Sequence, residues 1–298
     1  MRVGYYPGCS LVGSSRDFGE SVAAVAGALE VELAEVPGWN CCGASSAHAL
    51  DHLLALALPA SVLASAARAG LGEVLAPCAS CYHRLVSAQR ELAGSEQLRR
   101  QVERVIDMPV GAPVKVLNVL EWLERCIDLI TPKVKQPFAR TVACYYGCLL
   151  VRPAKVIEFD RSEDPVSMDQ LVARVGGKTV EWGFKTECCG AALSIPRTPT
   201  VGQLGARIVR NAAGSGAEAI VVACPMCHSN LDMRRGAIEE ALGTSVDLPI
   251  LFITQVVGLA LGISERALGL QRHFVEVRWP GRTPTATASA SGGAAPVR

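Results

Sequence analysis

The sequence of 298 residues has almost no net charge and no long apolar run at its start. The chain has 29 lysine and arginine residues and 28 aspartate and glutamate residues, and charges of both signs are scattered along it. The charge distribution therefore does not favour nucleic acid or an anionic membrane as the main partner. No long apolar stretch follows Arg2, so we do not expect a secretory signal. We expect a cytoplasmic location instead. The longest apolar run, residues 248–263, is short for a bilayer and predicts a strand or turn followed by a buried helix.

Two cofactor motifs are also absent from the sequence. No G-x-G-x-x-G follows a predicted strand, which argues against a nicotinamide or flavin site. No ferredoxin-type C-x2-C-x2-C run is present either. The chain therefore offers no recognisable site for these common electron carriers.

Hydrophobic residues and cysteines, by contrast, are plentiful. Half of the residues are hydrophobic, which is enough for a sizeable core in one large or two modest domains. The chain also has 12 cysteines. Without a secretory signal, that number favours metal or redox chemistry over structural disulfides.

Ten of the cysteines form two matching sets, each reading G-C, then C-C-G, then C-x-x-C. The first set is Cys9, Cys41, Cys42, Cys78 and Cys81, and the second is Cys148, Cys188, Cys189, Cys224 and Cys227. The flanking sequence repeats too, because VGYYPGCSL at 3–11 aligns without a gap to VACYYGCLL at 142–150. The chain is thus an internal duplication. Cys126 and Cys144 have no cysteine counterpart and are expected to be buried thiols rather than ligands.

The surrounding pattern predicts an α/β fold made of two pseudo-symmetric, Rossmann-like halves with short parallel sheets. In each half a β-rich run ends at or just before a cysteine and a helical stretch follows, for example at 47–69 and 201–213. Cysteines in those positions gather at the sheet edge where α/β proteins bind ligands. The predicted boundaries are 1–94 for the first half, 95–137 for a helical insertion and linker, 138–279 for the second half, and 280–298 for a disordered tail.

The doublets at Cys41-Cys42 and Cys188-Cys189 favour a polynuclear cluster over zinc. A zinc site commonly uses two C-x-x-C pairs, whereas each set here has one such pair, one doublet and a fifth cysteine. The side chains of two adjacent cysteines point in different directions. They therefore bind two different irons of one cluster more easily than they bind a single ion. Zinc in one block, with one thiol idle, stays open as an alternative. A c-type haem at 224–228 would leave the doublets unexplained.

The two complete cysteine sets, together with PGC at 7–9, PCASC at 77–81 and CPMCHSNLD at 224–232, resemble the CCG-domain family, and most closely the B subunit of heterodisulfide reductases. That resemblance covers the chain to about residue 262. It implies that the five cysteines of each set bind a non-cubane 4Fe-4S cluster, with a disulfide substrate split between the two clusters. It also implies two partners, a small ferredoxin-like C subunit and a flavoprotein A subunit.

Two functions are compatible with this resemblance. The first is a catalytic subunit that reduces or forms a disulfide, and the second is an electron-relay subunit of a lactate-, glycolate- or succinate-oxidising or quinone-linked complex. A catalytic subunit is expected to have an open, polar cavity between the clusters. A relay subunit is expected to bury both clusters. His83 and His228 come just after their C-x-x-C pairs and are candidate proton donors.

Overall fold

The computed structural model describes residues 1–44 and 46–278, and within them the chain forms two four-stranded sheets. The strands are β1 (Arg2–Tyr5), β2 (Glu32–Glu35), β3 (Glu73–Leu75) and β4 (Lys115–Leu117), then β5 (Thr141–Tyr145), β6 (Lys178–Thr179), β7 (Ala219–Val222) and β8 (Ile250–Phe252). The order is β2-β1-β3-β4 in the first sheet and β6-β5-β7-β8 in the second. Every neighbouring pair is parallel.

Helices connect the strands. In the first half they are α1 (Gly8–Val12), α2 (Arg16–Ala28), α3 (Ala47–Leu50), α4 (His52–Arg68), α5 (Ala79–Gly94), α6 (Glu96–Ile106), α7 (Val119–Arg125) and α8 (Ile127–Ile130). In the second half they are α9 (Ser167–Arg174), α10 (Thr198–Gly214), α11 (Pro225–Leu231), α12 (Arg235–Leu242) and α13 (Ile253–Ala260). Short 3-10 turns lie at Thr131–Lys133, Ala191–Ser194 and Leu270–Arg272.

The identical strand order confirms the predicted pair of α/β halves. Parallel strands covered on both faces are expected to be apolar throughout rather than alternating. The strand β7, with the sequence AIVV, is buried at all four positions, and β5 is buried from Val142 to Tyr145. The central strands of the second sheet therefore lie inside the molecule, whereas the edge strands β2 and β6 are partly exposed.

The segment 95–137, predicted to be a helical insertion and linker, also supplies a strand to the first sheet. Strand β4 pairs with β3, with Val74 opposite Val116. Helix α7 follows it through a capping box in which Asn118 and Glu121 exchange hydrogen bonds. Strand β4 was not predicted because its three residues are too few for a periodic signal. Helix α6, in contrast, lies outside the sheet and packs on α4 and α5 as an insertion.

The two halves pack on each other through equivalent helices. Helix α2 of the first half contacts α13 of the second, and α9 of the second half contacts α7 of the first. At the first of these contacts Phe18 stacks on Phe252 with ring centroids 4.1 Å apart, and Ser21 Oγ lies 2.6 Å from Thr254 Oγ1. One hydrophobic core runs through both halves as a result.

The apolar run at 248–263 has the predicted structure. It forms β8 and then α13, and all the residues of both elements are buried. Among the described residues, no helix has the length and apolar character needed to cross a bilayer. The tail predicted to be disordered, 280–298, lies outside the described residues.

Candidate functional site: two blocks of five cysteines

Each cysteine set lies at the carboxyl ends of three neighbouring strands. In the first half Cys9 follows β1, the doublet follows β2, and Cys78 is the N-cap residue of α5 directly after β3. In the second half Cys148 follows β5, and Cys224 is the N-cap residue of α11 after β7. Since the three strands are parallel and adjacent, their ends bring the five cysteines of each set to one edge. We call these sets block one and block two.

Six buried cysteines form a continuous row of interacting thiols through the molecule. In block one Cys42 Sγ lies 3.3 Å from Cys81 Sγ, and the interaction of Cys81 with Cys78 raises the pKa of Cys81. Block two has the same arrangement, because interactions with Cys189 and Cys224 raise the pKa of Cys227. An interaction between Cys78 and Cys224, which raises the pKa of Cys78 and lowers that of Cys224, joins the two blocks. The row thus runs from one doublet to the other across the boundary between the halves.

The remaining four cysteines form two outer pairs of interacting thiols. Cys9 pairs with Cys41, and Cys148 pairs with Cys188. Cys9, Cys41 and Cys188 are exposed and Cys148 is half-buried. Each block therefore has three cysteines inside the protein and two at its surface, which leaves one side of each block accessible to another molecule.

A cavity of about 130 Å³ lies at block one, where the first half faces the second. All five cysteines of block one line it, and the second half contributes Leu149, Ala191, Ala192 and Met226. Ser10 and Ser80 are the polar side chains besides the thiols. The cysteines of block two are not among its lining residues, and its wall from the second half is apolar. The open, polar cavity between the clusters that a catalytic subunit is expected to have therefore stays a prediction.

Two glycines leave room against the C-x-x-C sulfurs. Gly8 and Gly147 occupy the same place in the repeat, immediately before Cys9 and Cys148, and both have positive φ, +61° and +67°. A Cβ atom would lie 3.1 Å from Cys81 Sγ at Gly8 and 2.9 Å from Cys227 Sγ at Gly147. The positive φ and the lack of space for a Cβ atom both require glycine at these positions. The backbone therefore lies close to the C-x-x-C sulfur of each block.

Backbone N–H groups donate to the doublet sulfurs. Gly43 N lies 3.4 Å from Cys41 Sγ, and Gly190 N lies 3.3 Å from Cys188 Sγ. The interaction with Cys81 lowers the pKa of Cys42 to about 7, and that with Cys148 lowers the pKa of Cys188 to about 6. The same interactions raise the pKa of Cys81 and of Cys148, so each favours the thiolate form at one cysteine of its pair.

One tyrosine from each half lies against its block. Tyr6 and Tyr145 align in the repeat, and their hydroxyls donate to the Asn40 and Glu187 carbonyls at 2.8 and 2.6 Å. Burial, and then the charges of the nearby cysteines, raise the pKa of both hydroxyls well above the usual range. This pair was not predicted from the sequence, although the signal was present in YYPGC and CYYGC.

The blocks differ in charge at the position of Asn230. Asn230 Nδ2 donates to the Cys189 carbonyl at 3.1 Å and reaches Cys189 Sγ at 3.5 Å. In the gapless alignment of the two C-x-x-C helices its counterpart is Arg84, which donates to the Ala55 carbonyl at 2.8 Å. The guanidinium of Arg84 is also one of the groups that lower the pKa of Cys42. Block one therefore has a positive charge nearby at a place where block two has a neutral amide.

The two candidate proton donors do not line the cavity. His83 Nδ1 lies 3.5 Å from Ser87 Oγ. His228 Nε2 lies 3.2 Å from the Ile250 carbonyl, and its ring stacks on Phe252. Their role in proton transfer stays a prediction. Cys126 and Cys144 are buried in the core, Cys144 within β5.

The donor set fits an iron–sulfur group. Each block offers five sulfur atoms, backbone N–H groups directed at sulfur, and a glycine that keeps the adjacent space free. Protein hydrogen bonds to sulfur and partial burial are the features that tune such clusters. A profile of the cysteine-rich domain, CCG, matches the chain twice, at residues 3–86 and 142–232.

The chain belongs to the CCG family. The two matches contain the two blocks, one each. Over 275 residues the chain is 31% identical to the 8-methylmenaquinol:fumarate reductase membrane anchor subunit of Wolinella succinogenes, covering 91% of this chain and 96% of the relative. It is also 31% identical over 261 residues to the B subunit of a ferredoxin/F420H2-dependent CoB-CoM heterodisulfide reductase from Methanosarcina acetivorans, covering 83% and 85%.

A solved structure shares the fold of this CCG protein. It is that of a hypothetical protein from Helicobacter pylori, with a TM-score of 0.74 and 12% sequence identity. The superposition covers 93% of this chain and 52% of that one, so the chain spans about half of its length. The family and the relatives together support an iron–sulfur oxidoreductase subunit that transfers electrons.

Proposed function

We propose that each block binds one non-cubane 4Fe-4S cluster through its five cysteines and that the chain reduces or forms a disulfide between the two clusters. The observation that carries this proposal is the contact between Cys78 and Cys224, because it brings two ligands of different blocks together beside a cavity. Reduction of a disulfide consumes two electrons and two protons and yields two thiols. Two adjacent clusters supply that number of electrons, since an iron–sulfur cluster ordinarily passes one at a time.

The chain's own residues shape the place where a substrate would lie. Leu149 and Met226 form the apolar wall opposite the block-one cysteines, and such a wall suits an uncharged disulfide and excludes water. The exposed pair Cys9 and Cys41 marks the accessible side of block one. The row of buried thiols lies on the inner side, where it joins block one to block two.

We propose the same partners that the sequence resemblance implied, a ferredoxin-like C subunit and a flavoprotein A subunit. Support comes from the relatives, which are named as subunits of heterodisulfide reductases, and from the missing nucleotide-binding motif in this chain. A cytoplasmic location stays a prediction.

A second function is favoured by a different observation. The relative in Wolinella succinogenes is named as a subunit of a menaquinol:fumarate reductase, and the cavity wall from the second half is apolar rather than polar. In this alternative the two clusters relay electrons within a quinone-linked complex. Disulfide chemistry would then be absent although both clusters are present.

Disabling one block at a time tests the proposal. Cys42 and Cys189 are the two ends of the row of buried thiols, so Cys42→Ser and Cys189→Ser are equivalent changes in the two halves. Each variant and the wild type are purified anaerobically, and electron paramagnetic resonance establishes first that the untouched cluster is intact. Disulfide reduction with an artificial donor is then measured, with Cys126→Ser as the matched control.

A shared site predicts that turnover stops in both variants and persists in the control. Activity near half of the wild type in both variants would mean two independent sites and contradict the proposal. Loss in one variant only would indicate one catalytic and one relay cluster. Absence of disulfide reduction in the wild type, together with rapid cluster oxidation by a quinone, would favour the second function.

A further inference from the structure

One buried tyrosine in each half lies between the cysteine motifs of its block. Tyr6 and Tyr145 each come three positions before the first cysteine of the block, and both side chains are fully buried. The Tyr6 hydroxyl donates to the carbonyl of Asn40 at 2.8 Å, directly before the first doublet. The Tyr145 hydroxyl donates to the carbonyl of Glu187 at 2.6 Å, directly before the second doublet. In both halves one side chain thus joins the segment of the first cysteine to the doublet.

The doublets need such an anchor because they lie in irregular backbone. The first doublet stands between β2 and α3, and the second stands between β6 and the 3-10 turn at Ala191–Ser194. Residues 39–43 and 187–190 belong to neither a helix nor a strand. Secondary structure therefore does not fix the positions of these four sulfur atoms, and contacts with side chains have to fix them.

Other anchors of the doublets differ between the halves. In the first half the side chain of Asn40 donates to the Leu58 carbonyl of α4 at 3.1 Å. In the second half Asn230 of α11 donates to the Cys189 carbonyl at 3.1 Å. The tyrosine hydroxyl, in contrast, makes the same hydrogen bond in both halves. It is therefore an anchor that two otherwise divergent blocks share.

The tyrosine rings also lie beside the C-x-x-C sulfurs. A Cβ atom at Gly8 would lie 3.6 Å from Tyr6 Cζ, and a Cβ atom at Gly147 would lie 3.9 Å from Tyr145 Cζ. These two Cβ positions are the same ones that lie close to the second sulfur of each C-x-x-C pair. Each ring is therefore next to the third cysteine motif of its block while its hydroxyl reaches the doublet.

A tryptophan from the segment before each doublet packs on the tyrosine ring. The rings of Tyr6 and Trp39 are nearly perpendicular, at 79°, with centroids 5.7 Å apart. The rings of Tyr145 and Trp182 are tilted by 54°, with centroids 6.2 Å apart. Both separations are in the range of favourable aromatic pairs. Because packing holds the ring, a change from tyrosine to phenylalanine keeps the ring in place and removes the hydroxyl alone.

We infer that Tyr6 and Tyr145 are positioning residues, each of which holds the doublet of its block at the distance from the other three cysteines that one cluster requires. The inference rests on the cluster binding proposed above. Each hydroxyl acts through a backbone carbonyl, because that is the acceptor to which its proton is directed. Removing a hydroxyl lets the doublet shift, which changes the cluster of that half only.

Tyr6→Phe and Tyr145→Phe test this inference. Each variant and the wild type are purified anaerobically, and redox titration followed by electron paramagnetic resonance measures the two clusters separately. Cys42→Ser and Cys189→Ser, each of which should leave one cluster intact, assign the two signals. We expect the signal and the potential of the block-one cluster alone to change in Tyr6→Phe. Those of the block-two cluster alone should change in Tyr145→Phe.

Iron release to a chelator measures the same effect as a rate. In each test variant half of the iron should be released about three- to tenfold faster than in the wild type, the range expected for the loss of one hydrogen bond.

Tyr146→Phe is the matched control for the loss of a buried hydroxyl. The Tyr146 side chain is fully buried, and its hydroxyl donates to Asp169 Oδ2 at 2.6 Å and accepts from Met168 N at 2.7 Å. The hydroxyl is thus bonded to α9 rather than to a doublet. Its loss should lower the stability of the protein without changing either cluster.

Hydrogen exchange tests the anchor whether or not clusters are present. Amide exchange in residues 38–44 should become faster in Tyr6→Phe, and exchange in residues 186–190 should become faster in Tyr145→Phe. Unchanged exchange in both segments would overturn the inference. Wild-type signals and release rates in both test variants would also overturn it, as would equal changes of both clusters or the same changes in Tyr146→Phe.

Failure of the inference can be told apart from failure of the proposed function. A wild type without iron and sulfide would contradict the proposed function, while the exchange of the doublet segments would still decide whether the tyrosines hold them. If one test variant does not fold, the other provides an equivalent test in the opposite half.

Discussion

Cys78 and Cys224 contact each other across the boundary between the two halves, although 146 positions separate them in the sequence. Each is the first cysteine of its C-x-x-C pair and the N-cap residue of the helix after a central strand. The contact makes one continuous site of two repeated blocks. Both the contents of that site and the differences between its two sides can be measured.

The anaerobically purified chain should hold about eight irons and about eight acid-labile sulfides, the sum of two 4Fe-4S clusters. The basis is five cysteines per block in matching geometry. Iron and sulfide analysis of the same sample measures both. Four irons would mean that one block is empty or holds another metal, and cysteine-bound zinc with little sulfide would contradict clusters in both.

Replacing Cys126 or Cys144 by Ser should leave iron content and cluster spectra unchanged. Both thiols are buried, and neither belongs to the row of six or to an outer pair. A cost in stability of about 1–3 kcal/mol is expected, because a hydroxyl is buried in place of a thiol. Iron analysis and thermal unfolding separate the two effects. Iron loss in Cys144→Ser would show that block two is built differently from block one.

Gly8→Ala and Gly147→Ala should each impair the cluster of their own block. The left-handed backbone alone costs about 1–2 kcal/mol for alanine, and the added methyl would also press on Cys81 or Cys227. We expect reduced iron in both variants. Gly27→Ala is the control, because Gly27 is helical with open space around it and alanine should stabilise it by about 0.5–1 kcal/mol. Normal iron content in both test variants would refute a close approach of backbone and cluster.

Arg84→Gln should lower the reduction potential of one cluster only. A nearby positive charge favours the reduced, more negative state, and Arg84 is close enough to Cys42 to lower its pKa. Asn230 occupies the equivalent place in block two, so the second potential should not move. Redox titration followed by electron paramagnetic resonance measures both potentials. Arg84→Lys keeps the positive charge and should leave the reduction potential close to that of the wild type. Equal shifts of the potential in the Lys and Gln variants would exclude a charge effect.

The fold could be predicted from the sequence because the duplication repeats local signals. The β-rich runs before the cysteines gave six of the eight strands at least approximately, the apolar run at 248–263 gave β8, and the identical sheet order confirms the two halves. Strand β4 was not predicted because Lys115–Leu117 is stabilised by pairing with β3, which is a tertiary interaction. The β-rich run TVEWGF at 179–184, which precedes the second doublet, predicts a longer strand than the structure has, since β6 ends at Thr179.

The arrangement of the site was less predictable. The grouping of five cysteines follows from parallel strands and was expected. The contact of Cys78 with Cys224 depends on how the halves pack, for example on the stacking of Phe18 on Phe252, and no local pattern encodes that. The ring of His228 points toward Asp17 and His273 for the same reason. These residues are far apart in the sequence, so no local pattern shows that they are neighbours in the fold.

The reciprocal packing of α2 on α13 and of α9 on α7 has an evolutionary consequence. An interface in which each half offers the same two helices to the other is the interface of a twofold dimer. An ancestor of half the length, with one block per chain, would have assembled as such a homodimer with its cysteines meeting at the axis. Fusion of two gene copies then freed the halves to diverge, and Arg84 opposite Asn230 and Tyr82 opposite His228 record that divergence.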